Sequence, residues 1–350
     1  MASKWESPSD EPSGPGDWEG VALDLHGAKA LVTGGAGFIG STLVDSLLRL
    51  GCTVLAYDNL DPFYTGKEAN VRHNLANPRF SLVKGSILDE EGLGKAMKGA
   101  DVVFHLAGQA GVKYCIEHPV RAEQVNALGT LNVLQAVRNA KTVKKMIYAS
   151  SSSIFGNPQK PMLNEDHPQN PTSPYGVSKL AGEKYCFAFH ETYGTPVTCL
   201  RYFSVYGPRG RPDQVVYSFA KRVMNGEPPV IYGNGKQSRD FTFVSDIVGG
   251  TVLAAMADES VGQAFNLGYG QEFPIESVAR MIIQSFEADL EPEFREAYRG
   301  DFPRTLCQNA KARSLLRWSP QVDFGTGVAE FLDWFKAKQA VLPAGASPAR

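Results

Sequence analysis

A glycine-rich turn between a short apolar segment and an amphipathic one constrains the fold most strongly. Lys29–Thr33 is mostly apolar and is followed by three glycines within four residues. In Phe38–Arg49 the apolar residues recur at the spacing of one helical face. Glycines between a strand and a helix let the backbone approach a pyrophosphate, which N–H groups at the helix N-terminus can bind. We therefore predict a dinucleotide-binding strand–turn–helix unit.

Strands and helices are predicted to alternate beyond this unit. Further strands are expected at Thr53–Tyr57, Phe80–Lys84, Asp101–Leu106, Lys144–Ser150 and Pro196–Arg201. Helical patterns separate most of them, for example Asn126–Asn139 and Tyr175–Tyr193. Such alternation predicts an α/β fold of the Rossmann type, a doubly wound parallel sheet with helices on both faces.

After Arg201 the pattern becomes mixed and rich in glycine and proline, which predicts a smaller mixed α/β C-terminal lobe. We assign residues 27–201 and 245–270 to the dinucleotide-binding domain, and residues 202–244 and 271–335 to the lobe. Residues 1–26 are rich in Ser, Pro, Gly and acidic residues and lack the apolar stretch of a signal peptide. We predict a disordered N-terminal tail at 1–26 and a flexible tail at 338–350.

Charge and cysteine content argue against several classes of function. The formal net charge is -2, which gives no general attraction to nucleic acid or to anionic membranes. No apolar run is long enough to span a bilayer. The five cysteines are scattered without a CxxC pair, which favours reduced thiols over disulfides or a metal site. These features predict a cytoplasmic protein without a metal, a nucleic-acid partner or a membrane partner.

Asp58 indicates which dinucleotide is bound. It follows Gly40 by 18 residues and stands at the end of the second predicted strand. A carboxylate there can accept hydrogen bonds from the adenosine ribose hydroxyls. Because it would repel a 2′-phosphate, and Asn59 adds no positive charge, the sequence predicts NAD rather than NADP.

Tyr175 and Lys179 form a candidate catalytic pair. At a separation of four residues they lie on one face of a helix. A neighbouring ammonium, together with a positive nicotinamide ring, would lower the pKa of the phenol and make it a better base. This spacing is also common on ordinary helix surfaces. Here, however, serines 150–153 stand at the end of a predicted strand, where parallel sheets place ligands.

These motifs resemble the extended short-chain dehydrogenase/reductase family, and within it the nucleotide-sugar 4-epimerases. The resemblance covers residues 28–335 and rests on Thr33–Gly40, His105–Gly108, Ser151 with Tyr175 and Lys179, Arg201–Phe203 and Ser238–Phe241. It implies a Rossmann domain with tightly held NAD and a UDP-sugar lobe. It also implies a homodimer formed by helices near residues 120–140 and 175–193.

The resemblance also implies roles for individual residues. Ser151, Tyr175 and Lys179 would be catalytic. The cofactor would be bound by Gly34, Gly37, Phe38, Ile39, Gly40, Asp58, Asn59, Ser86, Ile87, Leu106, Ala107, Gly108, Gln109, Ala149, Tyr175, Lys179 and Tyr202. The substrate would be bound by Lys113, Ser151, Ser152, Ser153, Tyr175, Ser204, Arg211, Tyr232, Arg239, Arg299 and Asp301.

Some positions depart from the family pattern. Ser86 replaces an Asp that often contacts adenine, Lys113 replaces an Arg, and Phe155 replaces a Tyr. The spacing around Arg299 differs from that of the galactose enzymes. Thr305 stands at a position that limits pocket size in those enzymes, and it is not bulky, so an N-acetyl group could fit.

Residues near the expected sugar site suggest the substrate. Ser152 and Ser153 occupy positions where related dehydratases and decarboxylases carry acidic residues, and neither can serve as an elimination acid or base. Together with Ser204 and Arg211 they resemble the carboxylate-binding residues of UDP-glucuronate 4-epimerases. A fork of donors and neutral hydroxyls suits a carboxylate. The predicted reaction is conversion of UDP-glucuronate to UDP-galacturonate through a transient 4-keto intermediate.

Two other functions stay open at this point. One is a 4-epimerase acting on UDP-glucose and UDP-galactose, or on their N-acetyl forms, for which Arg211 and the serines are the discriminating residues. The other is a catalytically silent NAD-binding regulator. The intact set of Ser151, Tyr175 and Lys179 argues against this last function, because a silent protein has no need of all three residues.

Overall fold

The computed structural model describes residues 24–297 and 302–341. The strands are β1 Lys29–Thr33, β2 Thr53–Asp58, β3 Phe80–Lys84, β4 Val102–His105, β5 Lys145–Ser151, β6 Val197–Tyr202, β7 Ser204–Tyr206, β8 Val230–Tyr232, β9 Ser238–Phe243, β10 Gln263–Leu267, β11 Glu272–Pro274 and β12 Glu293–Arg295. The helices are α1 Phe38–Arg49, α2 Lys67–Val71, α3 Glu90–Met97, α4 Val112–Glu117, α5 Pro119–Glu123, α6 Gly129–Ala140, α7 Pro174–Tyr193, α8 Val215–Met224, α9 Val244–Met256, α10 Ile275–Ser285, α11 Ala310–Leu315 and α12 Phe324–Val341. A π-helical segment, Gln124–Leu128, joins α5 to α6.

Seven strands form a single parallel sheet in the order β10-β6-β5-β4-β1-β2-β3. Every residue of β4, β5 and β6 is buried, as expected for strands covered on both faces. The strand order reverses between β1 and β4, and ligands of such sheets bind where the order reverses, at the carboxyl ends of the strands. The predicted Rossmann-type α/β fold is therefore confirmed, and the six predicted strands differ from the observed ones by at most one residue at each end.

Apolar side chains fill both faces of this sheet. One cluster packs α1 and α9 against one face, and another packs α3, α6 and α7 against the other. A third cluster lies beneath the sheet formed by β11, β9 and β7 and joins α8, α10 and α12. A two-stranded sheet pairs β12 with β8. These smaller sheets contain the segments that the sequence assigns to the lobe, and the exact domain boundary stays a prediction.

Both chain ends differ from their sequence assignments where they are described. Leu25, which was predicted to belong to the N-terminal tail, is buried in the core, and its carbonyl accepts a hydrogen bond from the Cys52 thiol. Helix α12 continues to Val341, three residues beyond the predicted start of the C-terminal tail at 338. The remaining tail residues, 1–23 and 342–350, lie outside the described residues. No helix in the described ranges is long and apolar enough to cross a membrane.

Candidate functional site

A cavity of about 910 Å³ opens at the carboxyl ends of the central strands and extends toward the smaller sheets. Every residue predicted to bind the cofactor lines it. So do all the predicted substrate residues that the structure describes. Arg299 and Asp301 lie outside the described residues. Residues far apart in sequence are thus brought to one site, while their roles stay predictions.

The glycine turn can accept a diphosphate. Gly34 has a φ of +72°, and a Cβ on it would lie 2.7 Å from the Ala107 nitrogen. A Cβ on Gly40 would lie 2.1 Å from the Gly34 carbonyl oxygen. Gly37, the N-cap residue of α1, has no capping side chain, so N–H groups of the first turn other than that of Phe38 can face a ligand together with the positive end of the helix dipole. The residues present therefore fit a dinucleotide at this position.

Asp58 also has a structural role that the sequence argument did not include. Its carboxylate accepts hydrogen bonds from the Ala36 N–H at 3.1 Å and from the Leu60 N–H at 2.9 Å. It thereby ties the glycine turn to the loop after β2. Each carboxylate oxygen can accept a further hydrogen bond, so the predicted ribose contact stays available.

The loop between β2 and α2 brings an unpredicted tyrosine to the start of α1. The Phe38 N–H donates to the Tyr64 hydroxyl at 3.0 Å, and the Lys67 ammonium lies 4.9 Å from the Tyr64 ring centroid. Burial raises the pKa of Tyr64 to about 12, which keeps its hydroxyl neutral. Both side chains line the cavity, next to the predicted diphosphate position.

The start of α7 positions the candidate base. The Gly176 N–H donates to the Ser173 hydroxyl at 3.1 Å, and Pro174 occupies the first turn, so the helix begins at a fixed residue. One turn later, Lys179 is buried, and its ammonium lies 4.4 Å from the ring centroid of Tyr148. Burial lowers the pKa of Lys179 to about 8.

Opposing influences act on the pKa of Tyr175. Burial raises it, while the charge of Arg211 and a side-chain hydrogen bond with Ser151 lower it. The sequence predicts that Lys179, together with the nicotinamide ring, lowers this pKa, and that role stays a prediction. The structure adds a second positive charge, that of Arg211, whose loop reaches the same cavity.

A buried ion pair fixes the rest of α7. Glu183 lies on the face of Tyr175 and Lys179, one further turn along, and is fully buried. Its carboxylate receives the Arg201 guanidinium, with Nη2 at 2.7 Å from Oε1, and the Ser150 hydroxyl at 2.7 Å. Helix α7 is thereby joined to β5 and β6 immediately beside the serine segment.

The serine segment and an asparagine order the middle of the cavity. The Ser153 N–H donates to the Ser151 hydroxyl at 3.1 Å, and serines 151–153 are all buried. Asn126, in the π-helical segment, accepts from the Gln109 N–H at 2.7 Å and donates to the Ser178 hydroxyl at 2.9 Å. These bonds hold the loop after β4 against α7.

Arg211 is engaged by a neighbour on its own loop. Its Nε and Nη2 donate to the two oxygens of Asp213, each at 2.9 Å. The Arg211 N–H also donates to Gln214 Oε1 at 3.0 Å, which fixes the backbone of the loop. The guanidinium that was predicted to bind a sugar carboxylate is therefore already paired with a carboxylate.

The remaining predicted substrate residues surround the outer part of the cavity. Ser204 begins β7, and Tyr232 ends β8 with 40% of its surface exposed. The Arg239 guanidinium lies 4.7 Å from the ring centroid of Phe302. Lys113 is exposed in the first turn of α4.

Sequence reasoning missed several residues of this site. Asp213 could have been found, because an acidic residue two positions after an arginine is a natural ion-pair partner. Glu183 could also have been found, since it continues the four-residue spacing of Tyr175 and Lys179. Tyr64 and Lys67 carried no such signal, because their positions depend on the path of an irregular loop.

Comparison with known proteins identifies the family of this chain. The model of the GDP-mannose 4,6 dehydratase family matches residues 31–331. A UDP-glucose 4-epimerase of Mycolicibacterium smegmatis is 37% identical over 316 residues, covering 89% of this chain and 99% of that protein. A UDP-glucuronate 4-epimerase of Thermodesulfobacterium geofontis is 32% identical over 312 residues, covering 87% and 95%.

A solved structure supports the same assignment. The UDP-glucuronic acid 4-epimerase of Bacillus cereus, in complex with UDP-glucuronic acid and NAD, superposes with a TM-score of 0.85. It is 33% identical, and the match covers 89% of this chain and 99% of that one. The predicted family, its NAD dependence and its 4-epimerase character are confirmed by these relatives. The chain belongs to the GDP-mannose 4,6 dehydratase family, the NAD-dependent epimerases and dehydratases of the short-chain dehydrogenase/reductase group.

Proposed function

We propose that this chain is an NAD-dependent UDP-glucuronate 4-epimerase, which forms UDP-galacturonate through a transient 4-keto sugar. One observation carries the proposal. Arg211 and the hydroxyls of Ser152, Ser153 and Ser204 line the same cavity as Tyr175. A guanidinium with neutral hydroxyl donors is a good receptor for a carboxylate. A sugar whose C4 hydroxyl faces Tyr175 would carry its C6 group toward these donors.

Tyr175 and Ser151 handle the proton. In this proposal the Tyr175 phenolate oxygen takes the proton of the C4 hydroxyl, and the Ser151 hydroxyl holds the sugar oxygen. The glycine turn and Asp58 would hold NAD, whose chemistry there would be reversible hydride acceptance from the sugar. Arg211 favours the phenolate through its charge, and Ser151 favours it through a hydrogen bond. The proton returns from Tyr175 to the sugar oxygen when the keto group is reduced.

The sugar and the nucleotide need different degrees of restraint. To receive hydride on its other face, the sugar must turn about its link to the diphosphate while the nucleotide stays anchored. We assign the anchoring to Arg239 and to the backbone near Tyr232, which line the outer part of the cavity. A 4-keto glucuronate is a β-keto acid that loses carbon dioxide readily. Donors from Arg211 and the serines would keep its carboxylate charged and away from the geometry that favours this loss.

A second candidate substrate is a neutral UDP-sugar. Two observations favour it: Asp213 balances the charge of Arg211, and a UDP-glucose 4-epimerase is among the relatives. Thr305 is buried near the cavity wall and is not bulky, so it also leaves room for an N-acetyl group.

The test is a substrate panel. Purified protein is incubated with UDP-glucuronate, UDP-glucose and UDP-N-acetylglucosamine, and the products are identified by NMR. We expect UDP-galacturonate as the main product, without a decarboxylated pentose product. If UDP-glucose is turned over faster than UDP-glucuronate, the neutral-sugar function replaces the proposed one.

We also propose that the protein forms a homodimer through α7 and the α5–α6 region. Val120, Leu128 and Val177 on these segments are about half exposed or more, at 69%, 49% and 50%. Helix α7 packs against α5 and against the π-helical segment, and exposed apolar surface of this kind is typical of protein interfaces. Light scattering measures the mass, and a monomer at micromolar concentration would contradict the proposal. The cytoplasmic location stays a prediction.

A further inference from the structure

Asp213 has no role in the function proposed above, although it lies in the cavity wall beside the predicted carboxylate receptor. It uses both oxygens to accept the Nε and Nη2 protons of Arg211 at 2.9 Å. The Arg211 side chain is 19% exposed and that of Asp213 is 37% exposed. The Arg211 backbone is held by Gln214, whose amide also donates to the Val205 carbonyl at 3.0 Å, so two hydrogen bonds fix this part of the loop.

The two charges of this pair cancel within the sugar pocket. A sugar carboxylate that approaches Arg211 meets an attractive guanidinium and a repulsive carboxylate only two residues apart. A neutral sugar is neither attracted nor repelled by these charges as an ion would be, and its hydroxyls can form hydrogen bonds with either side chain. The Nη1 group of Arg211 does not donate to Asp213, so a sugar carboxylate can still bind there. The nearby Asp213 charge makes that binding weaker than it would be with an unpaired guanidinium.

We infer that Asp213 is a specificity-determining residue, which limits the preference of this site for carboxylate-bearing sugars over neutral ones. This inference rests on the proposed function, because it assumes that Arg211 faces the C6 group of the sugar. It predicts that the wild-type protein accepts both classes of UDP-sugar, and that removing the Asp213 charge makes it selective for the carboxylate.

The experiment compares Asp213→Asn with the wild-type full-length protein. We measure kcat/KM for UDP-glucuronate and for UDP-glucose, and take their ratio. The ratio of kcat/KM for UDP-glucuronate to that for UDP-glucose should rise about tenfold. A tenfold rise corresponds to removal of about 1.4 kcal/mol of charge repulsion. The ratio is the right quantity because Asp213 and Arg211 also act on Tyr175, which affects both substrates alike.

Three further variants complete the test. Glu91→Gln removes one negative charge from an exposed pair with Lys95 on α3, and should leave the ratio unchanged. Asp213→Glu retains the charge and should stay near the wild-type ratio. Asp213→Ser removes the charge with a smaller side chain and should repeat the effect of asparagine. Retained turnover of UDP-glucose shows that each variant is folded.

The outcomes separate this inference from the proposed function. If Asp213→Asn leaves the ratio unchanged or lowers it, Asp213 only positions Arg211 and the inference is wrong. If the wild-type protein does not turn over UDP-glucuronate at all, the proposed function fails. The inference is then decided by equilibrium binding, where Asp213→Asn must tighten UDP-glucuronate relative to UDP-glucose by the same factor.

Discussion

The buried pair of Glu183 and Arg201 gives the sharpest test of how this site is built. Their side chains are 0% and 3% exposed, and the Ser150 hydroxyl donates a further hydrogen bond to the Glu183 carboxylate. Glu183→Gln keeps the shape of the side chain but leaves the guanidinium without a counter-charge. Removing one partner of such a pair typically costs about 3–5 kcal/mol. At about 2–4 °C per kcal/mol, the melting temperature should fall by roughly 6–20 °C.

The same change should lower activity through the helix. Glu183 lies on the α7 face that carries Tyr175 and Lys179. Without its ion pair, α7 is held less firmly against the sheet, so Tyr175 and Lys179 are positioned less precisely. Denaturant unfolding, thermal unfolding and kcat are measured on the wild type and on Glu183→Gln. The matched control is Glu191→Gln, the same chemical change at an exposed position of α7, which should alter stability by less than about 0.5 kcal/mol.

A double variant decides whether loss of the ion pair causes the loss of stability. Glu183→Leu with Arg201→Met removes both charges and should be more stable than the sum of the single effects predicts, because no buried charge is left alone. The proposed role of the pair is refuted by either of two results. One is a free energy of unfolding of Glu183→Gln within about 1 kcal/mol of the wild type; the other is a double variant whose loss of stability equals the sum of the losses in Glu183→Leu and Arg201→Met.

Four further predictions follow from the candidate site. Tyr175→Phe should lower turnover by about 10²-fold or more while UDP-sugar binding stays near wild type, and near-normal turnover would exclude Tyr175 as the base. NAD should co-purify without net growth of absorbance at 340 nm during turnover, whereas growth in proportion to product would indicate a dehydrogenase. Arg211→Ala should reduce kcat/KM for UDP-glucuronate by roughly tenfold more than for UDP-glucose, since a charge-assisted contact is worth about 1.5–3 kcal/mol. It should also shift the acid limb of both pH profiles to higher pH, because the pKa of Tyr175 rises without that charge. Burial lowers the pKa of Lys179 to about 8, below the value of about 10.4 in an unfolded chain, so the folded state sheds its proton first. Stability should therefore rise with pH between about 8 and 10, and Lys179→Met should flatten that rise in urea unfolding.

Much of the fold could be predicted because its signals are local. The first strand, the glycine turn and the first helix follow one another directly in sequence. Each can be predicted from the spacing of its apolar residues or from its glycines alone. Tyr175 and Lys179 were found for the same reason, since four residues separate them on one helix. The ends of the chain were less well predicted. Leu25 is buried because of a contact with residues after α1, which composition does not reveal.

Contacts distant in sequence account for what was missed. One charge that lowers the pKa of Tyr175 belongs to Arg211, which is 36 residues away and reaches the cavity through a loop without regular structure. Tyr64 reaches the start of α1 in the same way. The resemblance identifies Arg211 as a candidate from the sequence, and the structure shows that Asp213, its near neighbour in sequence, already pairs with it.

The position of β10 bears on how the chain reaches its folded state during synthesis. This strand completes the sheet at the β6 edge, although the three strands between them in sequence, β7, β8 and β9, belong to other sheets. Until Gln263–Leu267 leaves the ribosome, one edge of β6 has backbone groups without their strand partner, and an unpaired sheet edge is a template for aggregation. The nascent chain thus carries an open sheet edge through more than sixty codons of translation, counted from Tyr202 to Gln263. In a fragment that stops within this interval the β6 edge would stay unpaired, so we expect such fragments to be insoluble because of the strand order itself.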